Sequence, residues 1–148
     1  LTSKSEPLIP YASSNMSALP VVLVHIGNSK KSFLPLRTKR PFQGYFGLPA
    51  GRLLVGESIK DAAQRILFNK FGIEIKSVKI KSIALEHVKK NHSVIYSFLL
   101  IFVSAKAKFP IKLISLDKYK SKIIKSDFYL IRNNLHFNTK IDSFQSKE

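Results

Sequence analysis

The sequence predicts a mixed α/β domain, with helices packed on the faces of a sheet. Three observations carry this: apolar, β-branched runs of strand length, one segment of unbroken helical periodicity between them, and a second helical stripe near the C-terminus.

Residues 1–17, LTSKSEPLIPYASSNMS, are rich in Ser and Pro without a sustained period, so a flexible tail with one short extended piece is expected there. The domain is expected to span 18–148. Leu19 to Ile26 reads as a buried strand, Gly27-Asn28-Ser29 as a turn, and Ser32 to Thr38 as the second strand of a hairpin. From Ser58 the period becomes helical. Ile59, Ala62, Ala63, Ile66 and Leu67 fall on one face, Ser58 with Asp61 resembles a capping box, and Gly72 stands at the helix stop. Val78 to Val88 and His92 to Ala105 read as paired strands joined by the polar turn Lys89-Lys90-Asn91. The second is apolar on both faces, as a central strand is. Ile111 to Leu116 is a further candidate strand. Ile124, Phe128, Ile131 and Leu135 then keep a helical stripe, with Ser126 as candidate N-cap.

With 148 residues and 45% hydrophobic composition the chain is long enough for one packed core. It has no cysteine, which excludes disulfides, thiolate zinc sites and thiol nucleophiles, and suits a cytoplasmic protein. No run reaches the roughly 18 to 20 apolar residues of a membrane span. The chain opens on Leu1, which leaves an upstream targeting segment open. The formal net charge is +16. Such a field attracts nucleotides, nucleic acid or acidic surfaces, but Lys dominates it, and Lys is also an ordinary solvated surface residue.

The segment Gly44 to Ile73, GYFGLPAGRLLVGESIKDAAQRILFNKFGI, resembles the Nudix box with its lead-in. That signature places a Gly, a Glu and then Arg-Glu-aliphatic-any-Glu-Glu-any-Gly-aliphatic in fixed register. Gly51, Glu57, Arg65, Leu67, Gly72 and Ile73 fall on it, and Leu48-Pro49-Ala50-Gly51 looks like the family's Leu-Pro-Gly-Gly. The stretch Ile114 to Tyr119 resembles the family's usual approach to its closing helix. The resemblance implies an α/β/α sandwich that hydrolyses a diphosphate bond of a nucleoside derivative with Mg²⁺ or Mn²⁺.

The family's metal-binding glutamates converge because helix positions i, i+3 and i+4 share a face. Here those positions hold Ile66, Asn69 and Lys70, so three formal negative charges are lost and one positive charge is gained. Leu54 stands where many members carry another acid, and Lys106, Ala107 and Lys108 occupy the region that often supplies one more Glu. Glu57 is the surviving carboxylate, the catalytic or metal-binding candidate if either chemistry persists. No metal is expected, and Mg²⁺ or Mn²⁺ only with residual hydrolysis.

Several readings of this helix face compete. One is a decayed site kept for packing. Another has Lys70, with Arg52, Arg65, Asn69 and the stacking candidate Tyr45, holding a nucleotide or other phosphorylated ligand without cleaving it. Arg65 also has a bracing alternative, an ion pair to Glu57, which we favour. A third reading keeps hydrolysis by recruiting Glu86, His87 or His92, since Nudix groups such as the GDP-mannose hydrolases work with an altered box. The last is RNA binding, known for Nudix-like proteins without the catalytic Glu set. Lys79 and Lys81, with Lys106 and Lys108, would form a basic stripe beside Lys89-Lys90, and Tyr45 and Phe46 are candidates to stack on bases.

Overall fold

The computed structural model describes residues 17–134 and 141–147. The predicted tail therefore lies outside the described residues except for Ser17, as does Leu135 of the C-terminal stripe.

Strand β1 (Leu19–His25) forms where a run of β-branched residues has both faces to bury. Its side chains alternate between two cores. Val22 and Val24 point to one, Leu23 to the other. β4 (Ile75–Lys90) and β5 (Ser93–Ala107) make a long antiparallel hairpin. Adding β3 (Ala50–Arg52) and β7 (Ile141–Lys147) gives a five-stranded sheet in the order β3-β1-β5-β4-β7, in which β1–β5 and β4–β7 are parallel and the other pairs antiparallel. Helix α1 (Ile59–Phe71) packs on the face of Val22, Val24, Ile101 and Val103 through Ala62, Ala63, Ile66 and Leu67. Helix α2 (Lys125–Asn134) covers the opposite face through Leu130 and Ile131, against Leu23, Leu100 and Phe102. The expected α/β/α layering is thus present, and β5 is buried on both sides as its apolar run predicts.

α1 has the ends its sequence predicts. The Ser58 hydroxyl accepts from the Asp61 amide at 3.0 Å. Gly72 closes the helix at φ 66°, with Gly72 N–H donating to Phe68 O and Ile73 N–H to Leu67 O, a Schellman arrangement.

Other expectations are corrected. The predicted reversal after β1 is present, with Asn28 N–H donating to Lys31 O, Phe33 N–H to Ile26 O and an antiparallel bridge between Gly27 and Ser32. Of the predicted strand Ser32 to Thr38, however, only Ser32 is in a strand, β2 (Lys31–Ser32), whose ladder partner is β6 (Ile114–Ser115). Pro35 interrupts the run, since it has no amide to donate, and β1 takes β3 and β5 as its ladder partners instead. The candidate strand Ile111 to Leu116 shortens to β6 for the same want of a long partner. The hairpin turn is Asn91-His92 rather than Lys89-Lys90-Asn91, because both of its residues take positive φ, 52° and 68°, as a two-residue turn between twisted strands requires. Ser126 is not the N-cap. Ile124 accepts the first helical bond from Phe128 N–H, while its own N–H donates to Phe46 O, so the helix starts two residues earlier than a Ser126 cap would place it. Neither β3 nor β7 was predicted. β3 is three residues long and β7, IDSFQSK, is polar, so neither shows an apolar period.

Gly27 is a position where glycine is required. Its φ is 140°, and an added Cβ would lie 2.2 Å from the Lys31 carbonyl oxygen, which is backbone and cannot yield. Gly27→Ala is expected to destabilise the fold by about 3 kcal/mol or more, as a lower midpoint in urea denaturation.

Candidate functional site

The segment from Ala50 through α1 builds a loop–helix unit around one ion pair. The Arg65 guanidinium donates to both Glu57 oxygens, Nε to Oε2 at 2.6 Å and Nη2 to Oε1 at 3.0 Å, and Nη2 also donates to the Arg52 carbonyl at 2.7 Å. The Leu54 amide donates to Glu57 Oε1 at 3.0 Å. Arg65 and the Leu54 amide hold the Glu57 carboxyl below its ordinary range. The planar guanidinium fits this bidentate role as Lys would not. Both oxygens of the surviving box carboxylate are therefore engaged within the protein.

The three replaced positions part company. Ile66 is buried and lies against Gly51, where an added Cβ would come within 2.8 Å of Ile66 Cγ1, so helix and β3 touch where the family binds metal. Asn69 opens onto a shallow depression with Asp61, Gln64, Arg65, Phe68, Glu74 and Lys108. Lys70 lines a separate cleft of about 280 Å³, with Arg37 and Lys39 from one side and Gly47 to Ala50 from the other. The described residues lining that cleft include three cations and no acid. Arg52 is exposed and offers its backbone carbonyl to Arg65. Tyr45 is 43% exposed, its ring edge-on to Phe42 and its carbonyl bonded to the Arg37 amide, so it belongs to the 36–46 loop that borders the cleft.

A divalent cation needs converging oxygen donors. Here Ile66 has none to give, Asn69 faces another depression, Lys70 is cationic, and Glu57 is occupied by Arg65. These residues do not fit the family's metal. Among the described residues no group of three or more His, Cys, Asp or Glu is placed to hold one.

Sequence reasoning missed Arg37, Lys39 and Asp127. Arg37 sits in the stretch read as a strand and Lys39 just beyond it, and only the fold brings them into one cleft with Lys70. Asp127 interrupts the stripe of Ile124, Phe128 and Ile131, which is a readable signal for a buried acid. It accepts from the Leu48 amide at 2.9 Å, thereby fixing the lead-in to α2. Burial pushes its carboxyl up to about 7, the Leu48 amide opposes this, Glu86 adds to it and Arg37 offsets it. His25, buried on β1, shares a 2.7 Å hydrogen bond with the Ser32 hydroxyl, and burial with the nearby Lys81 lowers its pKa to about 4.

The alternative catalytic groups do not gather at Glu57 through any described contact. Glu86 lies on the α2 side near Asp127, His87 bonds to the Ser97 hydroxyl at 2.8 Å, and His92 is in the hairpin turn. The lysine stripe is also altered. β4 and β5 are neighbours, but a register shift between Ile80 and Ser82 breaks the alternation of Lys79 and Lys81. Lys108 pairs with Glu74, and Lys89-Lys90 lies some ten residues further along β4, about 30 Å away at strand rise.

A five-stranded mixed sheet between two helices, with a braced Gly-x₅-Glu loop leading into the first helix, defines the class of Nudix-type α/β domains. The family comparison agrees: the NUDIX domain matches residues 16–113, and the chain belongs to the Nudix family. Among solved structures it is similar to a MutT protein from Bacillus halodurans (TM-score 0.70, 18% identity, covering 87% of this chain and 90% of that one). It is also similar to the NUDIX domain of Shewanella oneidensis NrtR, crystallised with ADP ribose (TM-score 0.60, 17% identity, 78% and 84% covered). A MutT NUDIX hydrolase from Burkholderia pseudomallei gives a TM-score of 0.63 at 14% identity, with 78% and 96% covered. At these identities the likeness is one of fold. No functionally curated protein matches the sequence. Among the described residues no helix is long and apolar enough to cross a membrane.

Among the described residues, the buried Asp127 and His25 make opposite contributions to stability. Asp127 titrates at about 7 when folded against an ordinary 3.8, so the native state holds the extra proton between these values and stability falls as pH rises through them. His25 titrates at about 4 against 6.5, so the unfolded state holds the extra proton in that window and stability rises there. The two offset each other between about pH 4 and 6.5. Asp127→Asn is expected to uncover the His25 slope, with urea midpoints that rise from pH 4 to 6.5 and exceed wild type at about pH 8, with no gain at pH 4.

Proposed function

We propose that this chain is a Nudix domain that binds a nucleoside-diphosphate-type phosphorylated ligand without the family's metal-dependent hydrolysis. The observation that carries the reading is the cleft beside α1, which Lys70 lines together with Arg37 and Lys39, at a helix position where the family carries a metal-binding carboxylate. Cations that line one cleft neutralise a diphosphate directly, and Arg37, whose Nε donates to the Pro41 carbonyl at 2.8 Å, adds a guanidinium to that lining. With Glu57 occupied by Arg65, no carboxylate of the box is left to activate water. ADP ribose in the similar NrtR domain is a ligand of this chemical class, which makes it a suitable first probe. A nucleotide ligand of this kind also fits a cytoplasmic protein.

In this reading Lys70 is the central ligand-binding residue, with Arg37 and Lys39 rather than Arg52 and Asn69 as its partners. Tyr45 sits on the bordering loop, where its ring is available to a base. Mg²⁺ has no role in holding the ligand.

Titration calorimetry with ADP ribose and nucleoside diphosphates tests this. Binding is expected in EDTA as well as in Mg²⁺, and Lys70→Glu is expected to weaken it by at least tenfold, about 1.4 kcal/mol. Release of products at ordinary Nudix rates on adding Mg²⁺ would overturn the reading, as would unchanged affinity in Lys70→Glu.

A further inference from the structure

Helix α2 divides its residues between two environments. Asp127, Leu130 and Ile131 are buried against the sheet. The outer side, with the segment 117–123 that precedes it, borders a groove of about 780 Å³. This groove shares no lining residue with the cleft of Lys70, and none of its residues belongs to the Nudix box.

The groove combines cations with aromatic faces. Its described lining carries Lys118, Lys120, Lys125 and Arg132 against a single acid, Asp117, which is engaged by Arg132. Phe128 lies beneath two of these cations, with Lys120 Nζ 5.6 Å and the Arg132 guanidinium 5.0 Å from the ring centroid. Tyr129 is 41% exposed at the same wall. Lys125, Tyr129 and Arg132 recur at i, i+4 and i+7, so cation, ring and cation follow one another along the helix about one turn, or 5.4 Å, apart.

From this placement we infer that the groove is a second binding site, for a short segment of single-stranded nucleic acid. Each nucleotide brings one phosphate and one flat ring, which matches a wall that offers both ammonium groups and π-faces in alternation. An acidic peptide supplies charge but leaves the rings without a stacking partner. A base stacking on the Phe128 and Tyr129 wall displaces a cation from the ring, and that cation then meets the adjoining phosphate. Charge complementarity on this scale favours a polyanion, and the volume exceeds what one phosphate group fills.

The test is fluorescence anisotropy of the full chain with a labelled oligoribonucleotide of about eight residues. Lys120→Ala/Lys125→Ala is expected to weaken binding at least tenfold and to flatten the dependence of log affinity on log salt by about 1.4, two phosphates at about 0.7 each. Tyr129→Ala is expected to weaken binding about tenfold with the salt slope kept, the signature of lost stacking. Circular dichroism melts confirm that these surface variants fold, and both are expected to retain whatever nucleoside-diphosphate binding the wild type shows. Wild-type affinity in Tyr129→Ala would overturn the inference. So would equal competition by polyglutamate of the same charge, since charge alone would then account for the groove.

Discussion

The bidentate pair between Arg65 and Glu57 governs the architecture of the Nudix segment. One guanidinium ties together the loop at Glu57, the strand end at Arg52 and the helix that carries Arg65. The Leu54 amide closes the same loop onto the same carboxylate. With the loop fixed in this way, Gly51 can approach Ile66 to a distance that no larger residue would allow without displacement. The pair is partly solvated, so its importance lies in the geometry it imposes more than in energy.

That geometry explains how the box keeps its outline with Ile66, Asn69 and Lys70 at the family's glutamate positions. Ile66 fills space against Gly51 and the core of α1, and burying an Ile side chain is worth about 1.5 to 3 kcal/mol. A carboxylate at this buried position would need a cation beside it to be tolerated. Lys70, a turn further on, supplies positive charge at the surface and lines one cleft with Arg37 and Lys39. Where the family's box places glutamates, this chain thus presents a buried apolar side chain and a surface cation.

The second consequence concerns the sheet. Because β5 is buried on both faces, each helix has a core to cover and an outer side left over. On α1 that outer side meets the cleft and a shallow depression, and on α2 it meets the aromatic and basic groove. Asp127 is the link between the α2 layer and the Nudix lead-in, since its carboxyl holds the Leu48 amide immediately before Pro49. Its neutralisation near pH 7 therefore connects the titration of one helix to the wall of the Lys70 cleft, which Leu48 and Pro49 line.

Local information determined the parts of this protein that local physics controls. Ser58, the apolar face from Ile59 to Leu67 and Gly72 define α1 with its caps, because capping and helical period act within a few residues. The apolar run of β5 announced a central strand, and the register of Gly51, Glu57, Arg65 and Gly72 announced the family. The tertiary structure decided what depends on distant partners. It left the residues after Ser32 as a loop, because β1 found β3 and β5 as ladder partners, and that loop brought Arg37 and Lys39 into one cleft with Lys70. It also separated Asn69 from Lys70, adjacent in sequence but about 100° apart around the helix, and placed Asp127 beneath Leu48, 79 residues away. Long-range pairing and burial have no signature in a stretch of ten residues, so the change at Lys70 was legible only as a reversed charge until the fold showed which cations line the same cleft.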